Sequence, residues 1–427
     1  MKNLKINVAL EAMKKDRLLK GMLTIATGSV GAKLIALLAL PIITRLYNSS
    51  EFGELSIFSA IALVTAPLLS LRYVNAIAVP KGRLVALNLL VLSITIIMIF
   101  GIVMSLIVYV LGKHVGELFS FAIAEYWWLL LLTVIGVGLY ESMTLWATRY
   151  QCYKVMAVTQ FQQSFFGSVA KIALGYMGCS TFGLLVGQWI QNSAGLMSYC
   201  KILGPGIAKD LKYVSLKRVC ACAIKYADFP RYRLPSHVLM LAGIHAPVLF
   251  FGYKYNSEVT GQLALAIMVL SLPTQVIGTA MSHAFLGEIT KQNYLQGGDL
   301  KQSVMSVIKT MVIISVVPAA LLISFGEEIF KFAFGHEWVL AGVYAQILSS
   351  YLVAKFVSTP LMHVFTVKRK QKMFLKLNSV RFIMLLLVGW ASIGLSLEPY
   401  LTLALFSCVM TVHYLYSTYV VFWIIKS

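Results

Sequence analysis

Two nine-residue segments indicate how this chain is organised. Residues 47–55 read Tyr-Asn-Ser-Ser-Glu-Phe-Gly-Glu-Leu, and residues 255–263 read Tyr-Asn-Ser-Glu-Val-Thr-Gly-Gln-Leu. Five corresponding positions are identical at a constant spacing of 208 residues (255 minus 47). Each segment precedes an apolar run at the same place in its half of the chain. This coincidence of position favours an internal duplication, and chance similarity of two short polar loops is the alternative.

The apolar runs around these segments predict a polytopic membrane protein. The 427 residues are 59% hydrophobic and 12% charged, whereas a soluble chain carries about 25% charged residues. Runs long enough for a helix to cross a hydrocarbon core of about 30 Å recur along the whole sequence. The predicted spans are 21–44, 53–72, 84–111, 125–147, 155–176, 181–203, 235–253, 260–286, 306–325, 338–365, 377–397 and 400–425. The expected fold class is an all-α integral membrane protein of about twelve transmembrane helices.

The repeat divides these spans into two lobes of six helices each. We expect a cytoplasmic N-terminal segment over 1–20, an N-terminal lobe over 21–203, a basic cytoplasmic linker over 204–234 and a C-terminal lobe over 235–427. Because both lobes would have the same orientation, their pseudo-two-fold axis would lie along the membrane normal, as in one class of transporters. The linker could form a short helix on the inner leaflet or remain a solvated connection.

The distribution of positive charge indicates topology. The net charge is +20, and 29 of the 36 Lys and Arg residues lie in alternate connections, as the positive-inside rule requires of cytoplasmic loops. These connections are 1–20, 72–83, 149–154, 201–233, 287–309, 368–381 and 426. The pattern argues against nucleic-acid binding and places both termini in the cytoplasm.

Four charged residues lie well inside the predicted spans, where a charge is costly and usually faces a cavity or a partner. They are Lys33, Glu141, Lys171 and Lys355. Lys171 ends a polar stripe at three- and four-residue spacing on the fifth helix, which also includes Gln160, Gln163, Ser164 and Gly167. We favour a cavity lining, with interhelical hydrogen bonding as the alternative. For Lys33 and Lys355, snorkelling to the membrane surface stays open.

Other polar residues inside the spans have two interpretations each. Gln188 and Gln191 on the sixth helix could bind sugar hydroxyls or join helices. Glu141 could be a counter-ion to one of the lysines, a proton carrier or part of a structural ion pair. His245 could couple transport to protons because histidine titrates near neutral pH, although a hydrogen-bonded structural histidine is commoner. Three lysines and one glutamate predict a cationic cavity that suits an anionic substrate.

Motifs of catalysis are absent from the sequence. It contains no phosphate-binding glycine loop, no metal-ligand cluster and no nucleophile elbow. The six cysteines lack C-x-x-C spacing and are interpreted as apolar fillers. We therefore expect a transporter with no cofactor and no metal, and not an enzyme.

Several motifs occur in an order and spacing typical of one family. They are Leu-Pro-Ile-Ile-Thr-Arg-Leu-Tyr at 40–47, Ser-Leu-Arg-Tyr at 70–73, Tyr-Ala-Asp-Phe-Pro-Arg-Tyr at 226–232 and Val-Leu-Ser-Leu-Pro at 269–273. The chain resembles the Wzx-type O-antigen flippases, the polysaccharide transporter branch of the MATE-like (MOP) superfamily. In that family an acidic residue commonly follows the Arg-Tyr pair, but Val74 and Asn75 stand here. The sequence therefore departs from the family pattern at this point.

The resemblance implies a flippase for an undecaprenyl-pyrophosphate-linked oligosaccharide, such as an O-antigen repeat unit of lipopolysaccharide. It would act from the cytoplasmic to the periplasmic leaflet of the bacterial inner membrane by alternating access. Lysines in the cavity would neutralise pyrophosphate or sugar carboxylates. Four basic residues at the inner mouth would capture the pyrophosphate, with ordinary topology charge as their alternative, namely Arg72, Lys81, Arg231 and Arg233.

The same resemblance implies the partners and the competing functions. The partners would be the lipid-linked oligosaccharide, membrane lipids and other polysaccharide-assembly membrane proteins. One alternative is another MATE-like exporter, which carries a peptidoglycan lipid precursor or a drug. The other alternative is an enzyme, a membrane glycan polymerase, which would be expected to show a large outer loop with catalytic residues.

The bias of basic residues generates a topology prediction. A reporter enzyme that is active only in the periplasm should stay inactive when it is fused after Ser427, because the chain end faces the cytoplasm. The same reporter inserted after Lys254, in a predicted outer loop, should be active. Periplasmic activity of the Ser427 fusion would contradict the twelve-span topology.

Overall fold

A computed structural model describes residue 24 and residues 27–119, 123–295, 300–368 and 370–426. These residues are almost entirely helical and include no strand. The α-helices are α1 (Thr27–Leu46), α2 (Ser49–Ser70), α3 (Arg83–Phe119), α4 (Ile123–Arg149), α5 (Tyr153–Tyr176), α6 (Ser180–Ser193), α7 (Leu196–Leu211), α8 (Leu216–Lys225), α9 (Leu234–Lys254), α10 (Ser257–Pro273), α11 (Thr279–Leu295), α12 (Leu300–Phe334), α13 (Val339–Leu361), α14 (His363–Val367), α15 (Gln371–Gly394) and α16 (Pro399–Lys426). Short 3₁₀ turns cover Tyr73–Ala76 and His336–Trp338, and π-helical turns cover Phe229–Arg233 and Thr274–Gly278.

Ten helical segments within the described residues are long and apolar enough to cross a membrane. They are Thr27–Leu46, Ser49–Ser70, Arg83–Met104, Glu125–Arg149, Phe229–Lys254, Ser257–Leu286, Leu300–Phe334, His336–Phe365, Lys372–Gly394 and Pro399–Ile425. The other two predicted spans, 155–176 and 181–203, are also helical and form α5 and α6 with α7. They fall outside the ten because α5 carries the polar stripe and α6 is only 14 residues long. The predicted all-α membrane fold is confirmed, and the predicted segment 1–20 lies outside the described residues.

Both copies of the repeated segment begin a helix in the same way. The Asn48 side-chain oxygen accepts a hydrogen bond of 2.9 Å from the backbone N–H of Glu51. The Asn256 side-chain oxygen accepts one of 2.8 Å from the backbone N–H of Val259. Such a cap satisfies one of the amide groups that the first turn of a helix leaves unpaired. Both the caps and their donors are equivalent positions of the repeat, so the sequence repeat is also a structural one.

The repeated glycines allow α2 and α10 to cross at backbone distance. A Cβ atom on Gly53 would lie 1.8 Å from the carbonyl oxygen of Ser257, and one on Gly261 would lie 1.8 Å from that of Ser49. Only glycine permits so close an approach. Each glycine meets the serine at the equivalent position of the other copy, which is the reciprocal pattern of an interface with two-fold symmetry.

The turn that precedes α13 fastens this crossing. Glu337 accepts hydrogen bonds from the backbone N–H of Ser49 at 2.7 Å and from its hydroxyl at 3.0 Å. The buried Trp338 donates its indole N–H to the carbonyl oxygen of Thr44 at 2.9 Å. Its ring also meets Phe52 edge-on, with centroids 5.2 Å apart. The start of α2 is therefore held by specific hydrogen bonds as well as by close packing.

The chain divides into two compact units. The first consists of the described parts of Met1–Ala39, Ile61–His114 and Ala122–Val238, and the second of those of Leu40–Ala60, Val115–Phe121 and Leu239–Ser427. The crossing of α2 with α10 and the turn that fastens it lie entirely within the second unit. The predicted boundaries of the lobes at 203 and 235 stay predictions.

The basic linker forms a short helix, α8, which packs on the first unit. The Ser215 hydroxyl caps its start by accepting from the backbone N–H of Arg218. The Tyr73 hydroxyl donates to the carbonyl oxygen of Ala223 at 2.9 Å. Cys222 is buried against the same apolar cluster, and burial raises the pKa of its thiol. These apolar surroundings fit the interpretation of Cys222 as an apolar filler.

The close crossing generates a prediction for Gly261. An alanine there would place its methyl group against the Ser49 carbonyl oxygen, and overpacking of this kind costs about 1–3 kcal/mol. We expect Gly261→Ala to lower the melting temperature of the purified protein in detergent. Gly31→Ala is the matched control, because no atom lies within 4 Å of a Cβ at that position. Equal melting temperatures for the two variants would contradict the close crossing.

Candidate functional site

Lys171, on α5, has the most complete polar surroundings of the predicted site residues. Its side chain is buried, with 8% exposure. The ammonium donates to the side-chain oxygens of Gln188 and Gln191 on α6, at 2.8 Å each. A charge loses its bound water when it is buried, and the two amide oxygens take the place of that water. The structure thus brings together three residues that the sequence nominated separately.

Two glycines bring α5 and α6 close enough for these bonds. A Cβ on Gly167 would lie 2.5 Å from the Cβ of Gln191, and one on Gly187 would lie 2.3 Å from the Cγ of Lys171. Small residues allow membrane helices to approach in this way. The aliphatic stem of the lysine fills the space over Gly187, so the amide cluster depends on glycine at both positions.

The rest of the polar stripe on α5 faces the same neighbour. The Gln163 amide donates to the carbonyl oxygen of Asn192 at 3.1 Å. The side-chain oxygen of Gln160 is buried and accepts no hydrogen bond from any described residue. The contacts of the stripe in this structure are therefore interhelical, which is the alternative to a cavity lining. Gln160 retains an unused acceptor inside the unit.

A second polar centre of the first unit is the ion pair between Arg72 and Glu141. The arginine Nη1 lies 2.8 Å and 3.1 Å from the two carboxylate oxygens, and the side chains are 6% and 31% exposed. Leu71 and Arg72 both have positive φ, 44° and 57°, which is uncommon for residues other than glycine. This turn ends α2 and brings the guanidinium to α4. Among the interpretations of Glu141, the structure thus shows an ion pair, and its partner is an arginine rather than one of the lysines.

The other three residues of the predicted inner mouth are exposed. They are Lys81, Arg231 and Arg233. The turns that carry them pack on one apolar cluster, which includes Tyr73 and Phe229. These side chains are therefore accessible to a headgroup. Arg72 could take part only if its ion pair opened.

The remaining predicted site residues are divided between the units. Lys33 is half-buried on α1 in the first unit, and Lys355 and His245 are half-buried in the second. The Lys355 ammonium lies 5.6 Å from the ring centre of Tyr351, within cation–π range. Because Lys171 and Lys355 belong to different units, their grouping around one cavity stays a prediction.

Sequence reasoning missed two arginines. Arg149 was counted as a loop charge, yet its guanidinium donates to the carbonyl oxygens of Pro80 and Lys81 and so closes that turn. Arg381 was counted with the loop 368–381, although it lies well inside α15. Its position within the predicted span 377–397 was the signal that could have identified it.

The architecture is that of the MATE transporters. The chain matches a multidrug resistance MATE family transporter of the MOP superfamily, in its inward-facing conformation, with a TM-score of 0.59 and 14% identity over 96% of this chain and 98% of the other. It matches the MATE transporter VcmN of Vibrio cholerae in the bent form with a TM-score of 0.54 and 11% identity over 96% of each chain. At these identities the likeness shows the fold alone. The fold defines the chain as an all-α membrane protein of the MATE type.

The family is shown by the sequence match. Residues 42–343 match the family of polysaccharide biosynthesis proteins. Because this region is more than half of the chain, the chain belongs to that family. No curated protein sequence matches it significantly. The family and the MATE-like fold that the motifs implied are both confirmed.

The ion pair generates a stability prediction. Glu141→Gln leaves the Arg72 charge without its counter-ion. Such a loss costs about 3–5 kcal/mol in a fully buried pair, and we expect about 2 kcal/mol because Glu141 is 31% exposed. Asp210→Asn is the control, because its partner Arg83 is 52% exposed and the effect should stay below about 1 kcal/mol. Denaturation of the purified variants measures both, and equal losses would contradict a structural role for the buried pair.

Proposed function

We propose that this protein is a flippase for an undecaprenyl-pyrophosphate-linked oligosaccharide. The substrate would be the repeat unit of O-antigen or of a related polysaccharide, moved from the cytoplasmic to the periplasmic leaflet of the bacterial inner membrane. The observation that supports this proposal is the combination of a polysaccharide biosynthesis family with a MATE fold. The family points to glycan assembly, and the fold points to movement across a membrane.

The chemistry of such a substrate fits the amide cluster on α5 and α6. A glycan cannot cross hydrocarbon unaided, because its hydroxyl groups would lose their hydrogen bonds to water. The side chains of Gln188 and Gln191 can both donate to and accept from hydroxyl groups. Lys171 adds a charge that strengthens a bond to pyrophosphate or to an acidic sugar. In this structure the three side chains form hydrogen bonds to one another. On binding, they would exchange these hydrogen bonds for hydrogen bonds to the headgroup.

The exposed basic residues fit the first encounter with the substrate. Lys81, Arg231 and Arg233 lie on the side that the positive-inside rule assigns to the cytoplasm. A cluster of positive charge raises the local concentration of an anionic headgroup. The lipid tail could stay in the bilayer during transfer, so the membrane lipids and other polysaccharide-assembly membrane proteins are the expected partners. Both termini would face the cytoplasm.

Glu141 and His245 are the candidate groups for proton coupling. Each can change its charge by binding or releasing a proton, and each lies on a helix long and apolar enough to cross a membrane. Proton binding to Glu141 would release Arg72 from its ion pair. Arg72 would then become available to the pyrophosphate, so one event would both load a proton and expose a phosphate ligand.

A second candidate function is the export of a drug or of a peptidoglycan lipid precursor. The structural likeness to a multidrug resistance transporter favours it. The family of the chain and the cationic residues Lys171 and Arg381 disfavour a cationic drug as the substrate.

A charge-removing variant tests the role of Lys171. Lys171→Met keeps the apolar stem that packs on Gly187 but removes the ammonium. We expect glycan export to fall by about tenfold, the equivalent of one lost interaction of about 1.4 kcal/mol, while the amount of protein in the membrane stays unchanged. The measurement is surface glycan in cells that lack the native gene. Lys154→Met, at an exposed position of the same helix, should export normally. Full export by a well-expressed Lys171→Met protein would remove Lys171 from the mechanism.

Deletion of the gene tests the function itself. Lipid-linked repeat units should accumulate on the inner leaflet of the deletion strain, because their synthesis continues without transfer. Exported but unpolymerised units would point instead to a polymerase and would contradict the flippase.

A further inference from the structure

Four helices of the second unit carry two deeply placed cations and no acidic residue. The sequences of α9, α13, α15 and α16 contain no Asp or Glu. Lys355 lies on α13 and Arg381 on α15. In the first unit, by contrast, Glu141 neutralises Arg72 directly. A cation inside a membrane-spanning helix bundle is costly without a counter-charge, and these helices supply none.

Arg381 lies in the body of α15 and has an unused donor. It follows the first residue of α15 by ten positions, which is about 15 Å along a helix that rises 1.5 Å per residue. Its Nη1 donates to the Tyr414 hydroxyl at 3.4 Å. Its Nε is buried and has no hydrogen-bond partner among the described residues. The guanidinium also lies beside Gly243. If Gly243 carried a Cβ atom, that atom would lie 3.5 Å from Nη2 of Arg381.

Lys355 approaches the same pair of phenol rings from α13. Its ammonium lies 5.6 Å from the ring centre of Tyr351, and the Tyr351 and Tyr414 rings are 5.9 Å apart. Both Lys355 and Arg381 are close enough to act electrostatically on Tyr414. Both cations are half-buried.

We propose that Lys355, Arg381 and Tyr414 form an anion-binding site in the second unit, and that its ligand is a phosphate-type anion, specifically a pyrophosphate group. A guanidinium presents parallel N–H donors to two phosphate oxygens. An ammonium adds a second charge, and a phenol hydroxyl adds a further donor. A pyrophosphate carries enough negative charge to neutralise both cations. The assignment of this group to a lipid-linked substrate rests on the proposed function, whereas the anion site rests on the residues themselves.

Titration of the purified full-length protein in lipid nanodiscs with inorganic pyrophosphate tests the site. We expect saturable binding by calorimetry, weakened at least tenfold by Arg381→Gln and by Lys355→Gln. Lys376→Gln is the matched control, because this exposed residue of α15 loses the same charge without touching the cluster. Arg381→Lys keeps the charge and should retain part of the affinity, which separates loss of the ligand from loss of the fold. Absence of binding to the wild-type protein, or equal weakening by all three glutamine variants, would overturn the proposal.

A second titration identifies the source of the pyrophosphate. Farnesyl pyrophosphate in the nanodisc should displace inorganic pyrophosphate if the ligand is carried on a lipid. Binding of inorganic pyrophosphate that depends on Arg381 but resists this displacement would support the site with a free anion as its ligand. The flippase proposal has a separate readout, since it fails if cells without the gene still transfer the glycan. The anion site fails on the titration alone, so the two failures are distinguishable.

Discussion

Every charge that this chain carries into the membrane must be solvated by the protein, because hydrocarbon supplies neither water nor counter-ions. The structure meets this constraint in different ways. Lys171 is held by two glutamine oxygens, and Arg72 is neutralised by Glu141. Arg72 and Arg381 each keep a buried Nε without a hydrogen-bond partner among the described residues, but Arg72 has the Glu141 carboxylate beside it, whereas the partner described for Arg381 is the Tyr414 hydroxyl. We therefore interpret the charge that is paired with a carboxylate as structural, and the cation without one as part of a ligand site.

The internal repeat explains how the second unit is built. Equivalent asparagines cap α2 and α10, and equivalent glycines let the two helices touch at their backbones. The symmetry is then broken on one side, where Glu337 binds the start of α2. The contact at the two glycines is close steric packing. The hydrogen bonds to the Glu337 carboxylate, by contrast, can open at a cost of about 1.5–3 kcal/mol. The crossing therefore combines a fixed steric contact with a releasable polar one.

The polar stripe on α5 shows what spacing can and cannot predict. Residues three and four positions apart share a helix face whatever the fold, so the stripe itself was predictable. What the stripe faces was not, and it turned out to meet α6 through Lys171 and Gln163. The partner of Glu141 was left open for a similar reason, because the left-handed turn at Leu71 and Arg72 redirects the chain locally. Arg381 was missed because counting loop charges near a span edge ignores the few residues that point inwards.

The sequence by itself determined the membrane class, the helical spans, the repeat and the family motifs. These properties depend on local composition and on order along the chain, which folding does not change. Only the tertiary structure decided which polar groups meet, because the partners come from different helices. Lys171 and Gln188 are 17 residues apart and Arg72 and Glu141 are 69 apart, so their contact depends on how closely the helices pack. Between α5 and α6 that distance is set by Gly167 and Gly187, whose contacts with the neighbouring helix the sequence does not reveal.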